Sequence, residues 1–257
     1  MSNAISAFRQ KPIPDLSVVR QLMAGARDLP IDVTDTRSPD PLIPLEATGV
    51  KGGNYYASDR NPPYNHRAPG AIDALLMRRT AAEKLSKINS LMANEGLALH
   101  VFDAWRPRAV QAYFHDVWTP QEIAKRRPEL TFEQIAEEVG RYWSKPTEDP
   151  ARPAPHETGG AVDLTLTWAD GQPLFMGGIF DDPSPISHTD HYERETADFS
   201  FSAEEARANR RLLYWVMTEA GFANYPEEWW HFSWGDQFWA RMTGAPAAFY
   251  GLAIAPK

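Results

Sequence analysis

The stretch AVDLTLTW, residues 161–168, alternates apolar and polar side chains in the way that a β-strand does. The apolar run at residues 98–105 predicts a second strand, and residues 225–234 predict a third. Helices are predicted at residues 71–95, 106–118, 131–143 and 202–221. Because these elements show no regular βαβ alternation, the sequence predicts an α+β fold. We expect a single domain with a mainly antiparallel central sheet flanked by helices.

Local signals predict where several of these helices begin and end. Gly96 stands where a helix C-terminal glycine belongs. Thr131 and Gln134 form a capping-box pattern, and Ser202 and Glu205 form another.

The N-terminal segment differs from the rest of the chain. It is rich in Pro, Asp and Asn, and it predicts one short helix at residues 16–24 and a short strand at residues 54–57. We interpret residues 1–50 as an N-terminal extension that wraps the domain formed by residues 51–257. The proline-rich residues 144–155 predict a loop.

Composition excludes several classes of protein. A formal net charge of -8 argues against a nucleic-acid binder, which would present a basic face. The chain has no cysteine, so disulfides, thiolate metal sites and cysteine nucleophiles are excluded. The sequence shows no signal-peptide pattern and no apolar run long enough for a membrane span, which predicts a cytoplasmic protein without a membrane partner.

Two segments carry ionisable groups in apolar surroundings. In PHETGGAVDLTL, His156 ends the proline-rich loop and Asp163 falls inside the predicted strand; in EWWHF, Glu228 and His231 flank two tryptophans. Two imidazoles and a carboxylate, with a fourth position left for water, make up a catalytic-zinc composition. From spacing alone the alternatives stay open: either pair can be a structural ion pair, and nothing in the sequence proves that they meet.

Several motifs in the same order resemble one family. His156-x6-Asp163 followed by Glu228-Trp-Trp-His231 resembles the metal signature of the D-alanyl-D-alanine dipeptidases, zinc enzymes of the vancomycin-resistance type within the wider group of zinc D,D-peptidases. The segments FDAWRPRAV (102–110) and MGGIFD (176–181) resemble two further motifs of that family.

The resemblance implies a metal centre in a cleft on the sheet. One Zn²⁺ per chain would be held by His156, Asp163 and His231. Glu228 would act as general base and acid on the zinc-bound water.

The resemblance also implies how a substrate is held. Arg106 would stabilise the oxyanion that forms during the reaction, and Asp181 would receive the free amino group of the substrate. Asp103 belongs to the same substrate-binding group, where it would orient Arg106. One departure concerns Ala154 and Pro155, which stand where the family has serines, so the contacts of the substrate's carboxyl end are open.

The expected function is the zinc-dependent hydrolysis of a small dipeptide, D-alanyl-D-alanine above all. The alternatives are a zinc D,D- or L,D-carboxypeptidase acting on peptidoglycan fragments of the cell wall, a non-catalytic zinc-binding protein, and a zinc amidase or esterase with another small substrate. The expected partner is the dipeptide, and the sequence leaves a homo-oligomer open.

Overall fold

The strands form two sheets in the computed structural model, which describes residues 2–194 and 200–255. In chain order they are β1 (Leu42–Pro44), β2 (Lys51–Gly52), β3 (Leu76–Arg78), β4 (Leu97–Asp103), β5 (Ala161–Trp168), β6 (Ala223–Asn224) and β7 (His231–Ser233). The central sheet has the order β2-β4-β5-β7-β6, and β1 pairs with β3 in a separate ribbon.

The central sheet is mixed. Strands β4, β5, β7 and β6 pair antiparallel, whereas β2 runs parallel to β4. A parallel pair needs a long crossover, and the chain between β2 and β4 supplies it with β3 and a helix. The predicted combination of helices and sheet in one domain is confirmed, but the sheet is not antiparallel throughout.

Helices lie around this sheet. They are α1 (Ser2–Phe8), α2 (Ser17–Met23), α3 (Arg79–Ala93), α4 (Arg108–Tyr113), α5 (Thr119–Arg126), α6 (Phe132–Tyr142), α7 (Phe201–Glu219) and α8 (Gln237–Thr243). Helix α3 packs on β4 and α7 packs on β5. A wide helical turn at Phe114–Trp118 joins α4 to α5. None of the helices in the described part of the chain has the length and apolar character needed to cross a membrane.

Strand β5 has the predicted bounds but lacks a solvent-facing side. Its residues are buried from Ala161 to Thr167, so the threonines of the alternating pattern lie in the interior. Asp163 is buried in the same strand, and a buried carboxylate is costly unless it is paired or bound to a cation. This position therefore marks a site.

Three local predictions were wrong. The helix predicted from residue 71 begins at Arg79, because Leu76–Arg78 pair with β1 instead. The predicted strand at 54–57 is a 3₁₀ turn, in which the side chain of Asn54 accepts a hydrogen bond from the amide of Tyr56. The N-cap of α7 is Ser200 and not Ser202.

The N-terminal segment packs along the surface of the central domain. Helix α1 contacts α7, and α2 contacts α8. Arg20 of α2 forms hydrogen-bonded ion pairs with Asp190 and Glu227. The division of the chain at residue 50 stays a prediction.

Candidate metal centre and active site

Three ligand-type side chains converge on the central sheet. Asp163 of β5 lies directly opposite His231, the first residue of β7, in the antiparallel register. His156 arrives from the 3₁₀ turn Pro155–Thr158, which ends the proline-rich loop before β5. All three are buried, and one ligand atom from each lies within 4.8 Å of the other two. The sheet register thus brings together segments that are far apart in the sequence.

The geometry of these three residues fits a metal ion. Nε2 of His156 lies 3.1 Å from Nδ1 of His231, and the carboxylate of Asp163 lies 3.3 Å and 3.0 Å from these two nitrogens. Ligand atoms about 2.0–2.1 Å from a tetrahedral zinc are separated from one another by roughly 3.3 Å. Two imidazoles and a carboxylate are also the donor types that zinc prefers.

The hydrogen bonding of His156 prepares it as a ligand. Its Nδ1 lies 2.7 Å from the carbonyl oxygen of Ala104. Because a carbonyl oxygen can only accept a hydrogen bond, Nδ1 carries the proton and donates it. The other ring nitrogen, Nε2, therefore keeps its lone pair, which points toward the cluster. Burial opposes the ionisation of Asp163, but His156 and His231 lower the pKa of this carboxyl well below its usual range. Asp163 is therefore a carboxylate at neutral pH, as a metal ligand must be.

Glu228 lies at the edge of the cluster. It stands in the turn before β7, and its Oε2 is 3.8 Å from Nδ1 of His231. Burial, followed by the negative charges of Asp163 and Asp181, raises the pKa of Glu228 well above its ordinary value. A proton is thus held more tightly on this carboxyl than on an exposed one, and the carboxyl lies close to the candidate metal ligands.

Arg106 projects into the same site from the turn after β4. Its Nε donates to Oδ2 of Asp103 at 2.8 Å, its Nη1 donates to Gln111 at 2.8 Å, and its Nη2 lies 3.3 Å from Asp163. The guanidinium also lies over the ring of Trp143.

Asp103 is fully buried, and its Oδ2, which accepts from Arg106, also lies 3.2 Å from Nδ1 of His156. Asp103 is thus placed to orient Arg106. Its contact with a substrate stays a prediction.

Asp181 faces this group from a separate loop. Its backbone adopts the left-handed conformation, with φ of 58°, and its Oδ2 accepts hydrogen bonds of 2.8 Å from the phenols of Tyr56 and Tyr64. Burial and the charge of Asp163 raise the pKa of Asp181 to about 7, although Arg106 opposes the shift.

Two of the surrounding residues had no role assigned from the sequence. Tyr64 and Gln111 read as ordinary core and helix residues, and no spacing connects them to the metal motif. Tyr56 lies in the segment that loosely matched the family's substrate-facing region, and that location was its only signal.

The groups described above open into one cavity of about 270 Å³. The candidate functional side chains that line it are Arg106, His156, Asp163, Asp181, Glu228 and His231. Its outer wall comes from α5 and α6 and includes Ile123 and Tyr142. Pro155 lines the cavity, whereas Ala154 is buried and does not line it. All of the predicted site residues except Asp103 thus line one cavity.

Comparisons with known proteins agree with this arrangement. A family profile described as D-ala-D-ala dipeptidase matches residues 56–245. The chain is 34% identical over 215 residues to the D-alanyl-D-alanine dipeptidase of Synechocystis, which covers 78% of this chain and 84% of that protein. It is 34% identical over 153 residues to the enzyme of that name from Enterococcus faecium, covering 59% and 69% of the two chains. The Escherichia coli dipeptidase is 31% identical over 157 residues, covering 61% and 65%.

The family profile spans most of the chain, and the relatives carry the name that the motifs suggested, so the resemblance is confirmed. The chain belongs to the D-ala-D-ala dipeptidase family of peptidases.

Proposed function

We propose that this protein is a zinc-dependent dipeptidase that hydrolyses D-alanyl-D-alanine. The observation that carries the proposal is the placement of a metal-ligand group and a separate buried carboxylate, Asp181, in one small cavity. The family and the names of the relatives support the same substrate.

The size of the cavity supports a small substrate. A cavity of roughly 150 Å³ holds benzene, with its six carbon atoms. The cavity of about 270 Å³ is somewhat larger than that, which is compatible with a substrate as small as a dipeptide of two alanines.

His156, Asp163 and His231 would hold the zinc ion. When bound, zinc supplies a Lewis acid that lowers the pKa of a water molecule and polarises the peptide carbonyl. Glu228, whose Oε2 lies 3.8 Å from Nδ1 of His231, would accept a proton from the attacking water and return it to the leaving amino group. The raised pKa of Glu228 suits a residue that must both accept and release a proton.

Arg106 and Asp181 would bind the two charged parts of the reacting dipeptide. The guanidinium of Arg106 is preorganised by Asp103 and Gln111, so it can stabilise the oxygen that gains negative charge without first reorganising. Asp181 would pair with the free ammonium group, which selects a dipeptide over the interior of a longer chain. This role of Asp181 favours a dipeptidase over a carboxypeptidase acting on peptidoglycan fragments.

The test compares D-alanyl-D-alanine with its N-acetylated form, using protein whose zinc content has been measured. We expect cleavage of the free dipeptide and much slower cleavage of the blocked one. Equal rates for the two substrates would refute the dipeptidase proposal and favour the carboxypeptidase.

The role of Glu228 has its own test. Glu228→Ala should keep its zinc and lose about 10²–10⁴-fold in kcat, the range for general acid-base residues. Glu227→Ala is the matched control, because Glu227 pairs with Arg20 and His188, and it should keep most of the activity. Full activity in Glu228→Ala would overturn the assignment.

A further inference from the structure

Arg210 of α7 is a buried arginine whose guanidinium donates hydrogen bonds to three backbone carbonyls. The residue is 2% exposed. Its Nε donates to the carbonyl of Met176 at 2.7 Å, Nη1 donates to that of His188 at 2.8 Å, and Nη2 donates to that of Ile186 at 2.7 Å. One guanidinium therefore holds three points of the chain together.

The burial of the Arg210 guanidinium is offset only in part, by the electrostatic influence of Asp190 and of the Tyr192 phenol. None of the carboxylates in residues 2–194 and 200–255 forms an ion pair with it. Burial lowers the pKa of Arg210 to about 9, which still leaves the group charged at neutral pH. A buried charge surrounded by neutral dipoles is expensive compared with an apolar side chain of similar size. We therefore expect Arg210 to contribute by fixing the positions of the three backbone carbonyls that it binds, and not by a net gain in stability.

These carbonyls bracket the loop that carries Asp181. Met176 precedes Asp181 by five positions, and Ile186 follows it by five. Asp181 adopts the left-handed conformation, with φ of 58°, which aspartate tolerates better than most residues but which is still less favourable than the common regions, so contacts that hold the loop help to keep it in place. Arg210 closes the base of this loop.

The same arginine connects the loop to the segment that carries Glu228. His188, whose carbonyl accepts from Nη1, follows Ser187, and the carbonyl of Ser187 accepts a hydrogen bond of 2.9 Å from the amide of Trp229. The Arg210 guanidinium also lies 5.6 Å from the ring centre of Trp229. The carboxylate of Asp181 and the Glu228–His231 segment are thus positioned from one point on α7.

We infer that Arg210 is a positioning residue that fixes the Asp181 loop relative to the metal ligands and so determines the preference for substrates with a free ammonium group. The inference rests on the proposed dipeptidase function. Arg210 does not line the described cavity, so it would act through Asp181 and not on the substrate itself.

The test measures KM and kcat for D-alanyl-D-alanine and for propionyl-D-alanine, which lacks only the amino group. A displacement of about 1 Å in a group that positions the substrate can lower the reaction rate by up to 10²-fold. We expect Arg210→Met to raise KM for D-alanyl-D-alanine about 10-fold or more, with zinc content unchanged. The preference for D-alanyl-D-alanine over propionyl-D-alanine should fall by a similar factor. The preference is the ratio of kcat/KM for the two substrates. This ratio does not depend on how much of the enzyme is folded, so a general loss of stability would leave it unchanged.

Two further variants keep the test decisive. Arg210→Lys keeps the charge but loses the planar fork, so it should show an intermediate loss of preference and serves if the Met variant does not fold. Arg211→Met, on the same helix, removes only the ion pair with Glu193 and should keep the wild-type preference. Arg210→Lys should have no further effect on KM for D-alanyl-D-alanine when Asp181→Asn is already present, because Arg210 would act through the Asp181 carboxylate.

The outcomes separate this inference from the proposed function. A wild-type protein that does not cleave D-alanyl-D-alanine refutes the proposed function, and this inference fails with it. A wild-type protein that cleaves the dipeptide, combined with an unchanged substrate preference in Arg210→Lys, overturns the role of Arg210 alone.

Discussion

The phenol of Tyr56 donates a hydrogen bond of 2.8 Å to Oδ2 of Asp181, although the two residues lie 125 positions apart. The same phenol oxygen lies 3.2 Å from Nη2 of Arg106. Tyr56 therefore stands between Arg106, which faces the candidate metal ligands, and Asp181, the carboxylate that would receive the substrate's ammonium group. One rigid side chain sets the spacing between the two ends of the proposed dipeptide site.

Tyr56→Phe tests this connection. The change keeps the buried ring and removes two hydrogen bonds to charged groups, the 2.8 Å bond to Asp181 and the longer one from Arg106; a single such bond is worth about 1.5–3 kcal/mol. We expect kcat/KM for D-alanyl-D-alanine to fall roughly 10- to 100-fold, as measured by steady-state kinetics. Tyr55→Phe is the control, because the Tyr55 hydroxyl donates to the carbonyl of Pro62 instead. Equal kinetics for the two variants would contradict the prediction.

The ionisation of Asp181 predicts a pH dependence. The titratable and charged groups whose interactions involve this carboxyl are Tyr55, Tyr56, Tyr64, Arg106, Asp163 and Glu228. Burial and the charge of Asp163 raise its pKa to about 7. Only the ionised carboxyl attracts an ammonium group, so KM for D-alanyl-D-alanine should rise as the pH falls through about 7. KM for propionyl-D-alanine should stay constant, and a parallel rise for both substrates would contradict this assignment.

The same shift predicts how Asp181 affects stability. The folded protein binds the Asp181 proton more tightly than the unfolded chain, so ionisation in the folded state costs stability as the pH rises from about 4 to about 7. Above that range the cost is constant. The melting temperature of Asp181→Asn should therefore exceed that of the wild type near pH 8, with a smaller difference near pH 4. A difference independent of pH would show that Asp181 does not titrate in this range.

Removal of the metal should abolish activity and lower stability. A chelator should inactivate the protein and lower its melting temperature, because a ligand that binds only the folded state stabilises it. Added zinc should restore both. Asp163→Asn should lose zinc, measured by atomic absorption, whereas His100→Gln on β4 should keep it. Full activity in metal-free protein would refute the metal centre.

The sequence predicted the strand and the ligand types, but not the register that joins them. Strand β5 has the bounds that its alternating pattern predicted. The contact between Asp163 and His231 depends on the pairing of β5 with β7 across 68 positions, and local periodicity carries no information about such pairing. Only the family resemblance connected these residues before the structure did.

Other parts of the site escaped prediction for different reasons. Tyr64 and Gln111 matter because of single hydrogen bonds to Asp181 and Arg106, and a tyrosine or glutamine that makes such a bond looks like any other in sequence. Arg210 lies in a helix rich in arginine and glutamate, so the sequence suggests a solvent-exposed helix face. It does not suggest a buried arginine that binds three backbone carbonyls. Tertiary burial, which no local pattern encodes, gives each of these residues its role.

Arg106→Lys should separate catalysis from binding. Lysine keeps the charge but cannot reproduce the fork that reaches Asp103, Gln111 and Tyr56 together. We expect kcat to fall about 10²–10³-fold, the loss typical of a missing oxyanion donor, with a smaller change in KM. Arg108→Lys, an exposed arginine that pairs with Glu148, should behave like the wild type. A change confined to KM would assign Arg106 to ground-state binding instead.

The N-terminal extension should contribute stability through Arg20. Its Nη1 and Nη2 fork onto Asp190 at 2.9 Å and 2.7 Å, and its Nε donates to Glu227 at 2.6 Å, so one side chain connects α2 to the segments before and after α7. The arginine side chain is 24% exposed and its Asp190 partner is 12% exposed, so solvent screens the pair only in part. Arg20→Met should lower the free energy of unfolding by about 1–3 kcal/mol in urea denaturation.

The control for Arg20 is Asp35→Asn, which removes a local pair with Arg37 inside the extension and should cost less than about 1 kcal/mol. KM for D-alanyl-D-alanine should be unchanged in both variants, because neither residue lines the described cavity. Equal losses of stability would mean that the contact between the extension and the domain adds nothing beyond an ordinary surface pair. A larger loss in Arg20→Met would instead show that residues 1–50 stabilise the domain by holding the chain on both sides of α7.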